Sequence, residues 1–151
     1  DGTACDILVE PVAETKNGDV GKEVQAKLVE DLLQTHKDLD YLVGTAVMAE
    51  AAVPLLKARK LDGKVKLVSV YMTPGVYQGL KSKNIEAAGS APVVLTARIM
   101  LDSAVRVLEK KVEHADIGTL GQVYTQADIG TLQADTVLAP ASFKPVFKLG
   151  K

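Results

Sequence analysis

Apolar residues in the first 112 positions alternate between short continuous runs and a spacing of about four residues. The continuous runs are typical of buried strands, and the wider spacing predicts amphipathic helices. The predicted strands cover 6–9, 41–43, 65–71 and, more weakly, 85–88. The predicted helices cover 21–35, 46–60, 73–80 and 92–111. Pro54 falls inside the second helix, where we expect it to kink the helix or to start a new one.

This alternation of strands and helices predicts an α/β fold. Short connections between successive elements require parallel strands joined by helical crossovers. The expected architecture is therefore an open, mostly parallel sheet with helices on both faces, similar to a flavodoxin-like lobe. A closed β/α barrel would need roughly twice this length of chain.

The chain beyond residue 112 has a different pattern. The hexapeptide Ala-Asp-Ile-Gly-Thr-Leu occurs at 115–120 and again at 127–132, with no helical or strand period through both copies. One duplication does not make a repeat architecture, so we interpret it as a local duplication within a loop. Near the end of the chain, 143–149 is a candidate edge strand, where a proline is tolerated.

Composition and charge narrow the class of protein. Hydrophobic residues make up 47% of the 151 residues and charged residues 25%, which is typical of one globular unit and not of a disordered chain. The formal net charge is −1, so no basic excess favours nucleic acid or an anionic membrane surface. No apolar stretch approaches the roughly 20 residues of a membrane-spanning helix. We therefore expect neither nucleic-acid binding nor membrane insertion.

Sequence motifs for catalysis are missing. The serines lack the Gly-x-Ser-x-Gly context of a hydrolase, and Glu23 follows Lys22 where a phosphate loop needs Ser or Thr. His36 ends a predicted helix, where an imidazole favours the helix dipole without a catalytic role. His114 has no second histidine or cysteine at a metal-ligand spacing. We expect no catalytic residues, no metal and no cofactor, and therefore no enzyme.

The ends of the predicted strands are the candidate binding positions, because ligands of open α/β sheets bind beyond the carboxyl ends of strands. These ends are 11–19, 44–47 and 71–73. Tyr71 places an aromatic ring there, which either closes the end of the sheet or contacts a ligand. Thr45 either caps the next helix or hydrogen-bonds a ligand, and Thr73 is the expected N-cap of a helix with Pro74 at its first position.

Several segments carry a resemblance to a known family. They are Leu39-Asp40-Tyr41-Leu42-Val43-Gly44-Thr45-Ala46, Val68-Ser69-Val70-Tyr71-Met72, Val76-Tyr77-Gln78-Gly79-Leu80-Lys81 and Phe143-Lys144-Pro145-Val146-Phe147. Together they resemble the C-terminal half of the type I periplasmic binding proteins. The last two segments are most similar to the TorT-like receptors for trimethylamine N-oxide within that family.

The resemblance implies a two-lobed periplasmic receptor without catalytic activity. Such a receptor closes on trimethylamine N-oxide or a similar small methylated amine and signals to the periplasmic sensor domain of a TorS-like histidine kinase. The partly positive nitrogen of this ligand suits an aromatic face, and its oxygen suits hydrogen-bond donors. The ligand-contact residues that the resemblance implies are Tyr71, Thr45 and Thr73, at the matching strand ends.

The resemblance also suggests how the chain is divided. Residues 1–83 would form the core segment of one α/β lobe, 84–112 a strand and helix that match the other lobe, and 113–151 a poorly matched tail. We expect the N-terminal half of a complete receptor to be absent, which leaves a sheet edge able to pair with another copy of the chain. The alternatives are a sugar-type binding protein or effector domain of the same fold, and an engineered or truncated half that binds no ligand.

Overall fold

The computed structural model describes residues 21–112, 114, 116–144 and 146. Within them, helices and strands alternate as the apolar pattern predicts. In chain order the elements are α1 (Lys22–Thr35), β1 (Tyr41–Gly44), α2 (Ala46–Ala58), β2 (Lys66–Ser69), α3 (Pro74–Lys81), β3 (Ala87–Ser90), α4 (Val93–Leu108), β4 (Gln122–Thr125), the 3₁₀ helix η1 (Ile129–Thr131) and α5 (Ala134–Val137). The strand predicted over 6–9 lies outside the described residues.

The four described strands form one sheet in the order β1-β2-β3-β4. The first three are parallel and β4 is antiparallel to β3, which confirms the prediction of an open, mostly parallel α/β sheet. Leu42 pairs with Leu67 across β1 and β2, and Ser69 pairs with Ala88 across β2 and β3. α2 and α3 contact each other and lie on the same face of the sheet, as expected for right-handed crossovers between adjacent parallel strands.

The hydrophobic core lies between that face and helices α1 to α3. Leu42 and Leu67 are buried on the strands, and α2 meets them with alanines at 46, 49 and 52 that are fully buried. α1 packs on α2 through the buried Val29 and Leu33. In the described part of the chain the opposite face of the sheet is open to solvent, with Val43 65% exposed and Val123 67% exposed.

Two strands and one helix differ from the sequence prediction. β2 spans 66–69 and not 65–71, because Val65 belongs to the preceding turn and the pairing with β1 and β3 ends at Ser69. β3 lies two residues later than predicted, since its small side chains give little pattern and its limits depend on pairing with β2 and β4. α2 continues through Pro54 without a break, although proline has no N–H to offer the carbonyl of Glu50 one turn earlier.

The region beyond α4 contributes to the core, contrary to the prediction of a loop. β4 extends the sheet, and Ile129, Leu132 and Val137 are all less than 10% exposed. The second copy of the hexapeptide therefore packs into the molecule. In the first copy the corresponding Ile117 is 49% exposed and Leu120 is 89% exposed. Of the candidate edge strand 143–149, residues 143, 144 and 146 are described and form no strand.

Helix α4 has almost the predicted limits, but its apolar side is not buried as an amphipathic helix predicts. No residue of α4 is buried in the described structure, and Leu101 and Leu108 are 70% and 84% exposed. The helix packs on α5, and its contacts with the described strands are few. The apolar stripe along α4 is real, but the described residues leave it uncovered.

Helices α2, α3 and α4 are each followed, two residues after their last residue, by a lysine in the left-handed backbone region, where glycine is preferred. The φ angles of Lys60, Lys83 and Lys110 are 57°, 60° and 57°. The N–H of the residue after each lysine donates back into the helix and closes its end, as Asn84 N does to Gly79 O at 2.8 Å. A side chain in this conformation costs about 1–2 kcal/mol relative to the right-handed region.

Candidate functional site

The carboxyl ends of β1, β2 and β3 meet at one edge of the sheet, which we call the carboxyl edge. It consists of residues 44–45, 70–73 and 90–92, each of which leads into a helix. The Val70 N–H donates to the Gly44 carbonyl at 2.9 Å, which joins the first two segments. The third lies close because β3 has a glycine there: a Cβ on Gly89 would lie 2.5 Å from the Val70 carbonyl oxygen.

Both threonines of the predicted site cap helices at this edge. Thr45 Oγ1 accepts from the Met48 N–H at 3.3 Å at the start of α2. Thr73 Oγ1 accepts from the Val76 N–H at 3.1 Å at the start of α3. The capping interpretation of both residues is thus confirmed, and contact with a ligand stays a prediction for each.

Tyr71 lies between the two ends of the β2–α3 connection. Its side chain is partly buried and packs against the hydrophobic core. Its carbonyl accepts a hydrogen bond of 2.7 Å from the buried Ser69 hydroxyl, which fixes the backbone just after β2. The ring therefore helps to close the end of the sheet, and its contact with a ligand stays a prediction.

Glu50 was not predicted as a member of the site, yet its carboxylate reaches the carboxyl edge from α2. The Thr73 hydroxyl donates to Glu50 Oε1 at 2.6 Å. The same carboxylate lies on the backbone of Gly75, where an added Cβ would come within 2.5 Å of Glu50 Cδ and closer still to Oε1. Only glycine at this position leaves room for the carboxylate at the start of α3. This contact has no signal in the sequence, because Glu50 fits the polar stripe of an ordinary helix.

Ser90 is the second residue that the sequence prediction missed. Its side chain is 6% exposed, and its hydroxyl has no hydrogen-bond partner among the described residues. A buried hydroxyl without a partner is rare and calls for a water or a ligand. The signal was present: had β3 been predicted to run up to Pro92, Ser90 would have been the third strand end of the site.

Other candidate chemistry is limited in the part of the chain that the structure describes. His36 is the C-cap residue of α1, as predicted, with its N–H bonded to the Leu32 carbonyl at 2.8 Å. No group of three or more His, Cys, Asp or Glu residues is placed to hold a metal ion among the described residues. None of the described helices is both long and apolar enough to span a bilayer.

Comparison with known proteins identifies relatives of this fold. No family model matches the chain. The periplasmic protein TorT of Escherichia coli K12 is 29% identical over 130 residues, which are 86% of this chain and 37% of TorT. The crystal structure of the TorS sensor domain bound to TorT, solved without ligand and with TMAO, matches with 30% identity and a TM-score of 0.75 over 84% of this chain and 43% of that one.

A solute-binding protein of an ABC transporter from Bradyrhizobium sp. BTAi1, solved with bound Bis-Tris, is more similar. It is 50% identical, with a TM-score of 0.79 over 87% of this chain and 39% of that chain. Sugar-binding proteins at 14% and 18% identity share the fold alone. The chain thus spans about two fifths of the length of the relatives that it matches. It is a TorT-like sequence with the fold of the type I periplasmic binding proteins.

Proposed function

We propose that this chain is part of a periplasmic receptor that binds a small molecule with a substituted, partly positive nitrogen, such as trimethylamine N-oxide, at the carboxyl edge. The observation that carries the proposal is the buried Ser90 hydroxyl, which has no partner among the described residues and lies where ligands of this sheet type bind. A ligand oxygen would give this hydroxyl its missing hydrogen bond.

The relatives support the ligand class. The TorT complex was solved with TMAO and the Bradyrhizobium protein with Bis-Tris. In both compounds a nitrogen carries three carbon substituents and has hydrogen-bonding oxygens nearby. Such a nitrogen is attracted to the face of an aromatic ring, which Tyr71 supplies at the end of β2.

The two threonines contribute unequally to this binding. The Thr73 hydroxyl accepts from Val76 and donates its only proton to Glu50, so it has no proton left for a ligand oxygen. The Thr45 oxygen accepts from Met48, and its proton has no acceptor among the described residues. We therefore favour Thr45 over Thr73 as a direct ligand contact.

The similarity to TorT also supports a role in signalling. In this proposal the chain corresponds to the C-terminal half of a two-lobed receptor, acts in the periplasm without catalysis, and contacts the periplasmic sensor domain of a TorS-like histidine kinase. Contact with another copy through the open sheet edge is part of the same proposal, because β1 has no strand partner on its outer side among the described residues.

The second candidate function is solute capture for an ABC transporter. It is favoured by the 50% identity to the Bradyrhizobium solute-binding protein, against 30% for TorT in its complex. The ligand edge would be the same in both cases, and only the partner would differ. Pull-down of the purified chain with a TorS-like sensor domain or with a transporter permease separates the two.

Isothermal titration of the chain with trimethylamine N-oxide, Bis-Tris and ribose tests the ligand class. We expect heat with the first two and none with ribose. Tyr71→Ala should weaken binding about tenfold, the loss expected for a partly desolvated cation–π contact. Tyr41→Ala is the matched control, because Tyr41 lies at the opposite end of β1 and is 46% exposed. Equal affinities in the two variants would remove Tyr71 from the site.

A further inference from the structure

The connection between β2 and α3 is held from both sides by polar side chains. On the β2 side the Ser69 hydroxyl donates to the Tyr71 carbonyl at 2.7 Å. On the α3 side the Thr73 hydroxyl donates to Glu50 Oε1 at 2.6 Å. Only Met72 lies between these two fixed points, and it is 9% exposed. The backbone that carries the Tyr71 ring is therefore restrained by a bond within its own connection and by a bond from α2, in addition to the Val70 N–H bond to β1.

The bond from α2 is the stronger restraint. A hydroxyl that donates to a carboxylate forms a charge-assisted hydrogen bond, which is about twice as strong as a neutral one. The carboxylate also lies at the start of α3, where the helix dipole favours negative charge. Among the described residues Glu50 forms no ion pair, so its contacts at this edge are the ones that orient it.

Gly75 makes the contact possible. An added Cβ would lie 2.5 Å from Glu50 Cδ and 3.0 Å from Oε2, so any larger residue would push the carboxylate away. The φ angle of Gly75 does not require glycine, since the only glycine with positive φ among the described residues is Gly63. The space that Gly75 leaves is thus occupied by the Glu50 carboxylate, which would have to move if this position carried a side chain.

We propose that Glu50 is a positioning residue of the ligand site: through Thr73 it holds the segment 70–73, and so the Tyr71 ring, in the geometry that meets the ligand. This inference rests on the proposed function for the identity of the ligand. It adds a residue that does not touch the ligand itself and that sets how rigid the binding edge is before the ligand arrives.

The test compares four variants of the chain by hydrogen exchange in the absence of any ligand. In Glu50→Ala the amides of 70–73 and the Val76 amide should exchange about tenfold faster, which is the effect of losing one charge-assisted hydrogen bond. Glu50→Gln keeps a neutral acceptor oxygen for Thr73, whose hydrogen bond is about half as strong, so exchange should rise only about threefold. Unchanged exchange in Glu50→Ala would overturn the proposal.

Gly75→Ala separates positioning from overall stability. Alanine favours helix by about 1 kcal/mol over glycine, so a purely structural view predicts that the melting temperature rises and exchange slows. We expect instead faster exchange over 70–76 at a melting temperature no lower than that of the wild type. Slower exchange at these amides would show that Glu50 does not hold the segment.

Glu30→Ala is the matched control for the loss of a glutamate contact with α2. Glu30 pairs with Arg59 at 2.8 Å at the C-terminal end of α2, whereas the carboxyl edge lies at the N-terminal end of that helix. Its exchange over 70–76 should equal that of the wild type, and faster exchange there would contradict a local role of Glu50.

Titration with trimethylamine N-oxide then distinguishes this inference from the proposed function. If the wild type binds, Glu50→Ala should weaken binding about tenfold and Glu30→Ala should not. Equal affinities of Glu50→Ala and Glu30→Ala would refute the positioning role. If the wild type gives no heat with any amine, the proposed ligand is wrong, while the exchange results still decide whether Glu50 holds the segment.

Discussion

The duplicated hexapeptide allows the same substitution to be made twice in the same local sequence. Ile129 in the second copy is 6% exposed and contacts the core, and Ile117 in the first copy is 49% exposed. The two isoleucines have identical neighbours from two residues before to three residues after. Differences between Ile129→Ala and Ile117→Ala therefore report burial in the folded protein, because local effects on the unfolded chain nearly cancel.

The expected difference follows from the burial. Truncating a buried isoleucine to alanine costs about 2–5 kcal/mol of the free energy of unfolding, and the lower end applies to a site at the margin of the core. Truncating an exposed one costs within about 0.5 kcal/mol. We expect Ile129→Ala to lose about 2 kcal/mol more than Ile117→Ala, which lowers the melting temperature by a further 4–8 °C or so.

Urea unfolding followed by circular dichroism measures both costs, and Leu132→Ala against Leu120→Ala repeats the comparison at exposures of 9% and 89%. Equal and small losses in both copies would refute the packing of the second copy into the core. Equal and large losses would mean that both copies bury their apolar side chains.

Two further predictions concern a helix end and a carboxylate. Lys83→Gly should raise the free energy of unfolding by about 0.5–1 kcal/mol, because Lys83 has a φ of 60°. Lys64→Gly, at a negative φ, is the control and should lower the free energy of unfolding. Thermal melts measure both changes, and a lower melting temperature in Lys83→Gly would contradict the prediction. Bonds from the Thr125 N–H at 2.5 Å and the Thr125 hydroxyl at 2.9 Å lower the pKa of Asp128 below its ordinary 3.8. Since the folded pKa is the lower one, this stabilisation is present above pH 3.8 and is lost as the pH falls through the folded value. Asp128→Asn should therefore flatten the acid loss of stability below pH 3.8 in urea titrations, with Asp116→Asn, in the first hexapeptide copy, as the control.

The sequence predicted those features of the fold that depend on a strong period. α1 shows the four-residue apolar spacing and β1 a compact apolar run, and both have nearly the predicted limits. Thr73 and Pro74 predicted the start of α3, because a cap and a first-turn proline are local signals. The open parallel sheet followed from the order of these elements, since short crossovers leave few topologies.

The features that were missed depend on contacts between distant residues. β3 has the sequence Ala-Ala-Gly-Ser, which has little strand propensity, and its position is decided by pairing with β2 and β4. The packing of Ile129 and Leu132 could not be read from a hexapeptide whose other copy is exposed. Glu50 became part of the site only because Gly75, on a different helix, leaves space for its carboxylate.

The polar groups of the carboxyl edge support the proposal that a ligand binds there. An edge that served stability alone would satisfy its own donors and acceptors, as Thr73 does with Val76 and Glu50. The Ser90 hydroxyl and the Thr45 proton instead have no partners among the described residues, although Ser90 is buried. An aromatic ring, two open hydroxyl donors and one fixed carboxylate at a single edge suit a ligand with a partly positive nitrogen beside an accepting oxygen. The nearby Glu50 carboxylate would repel an anion, so a carboxylate analogue of similar size should bind more weakly than the amine oxide.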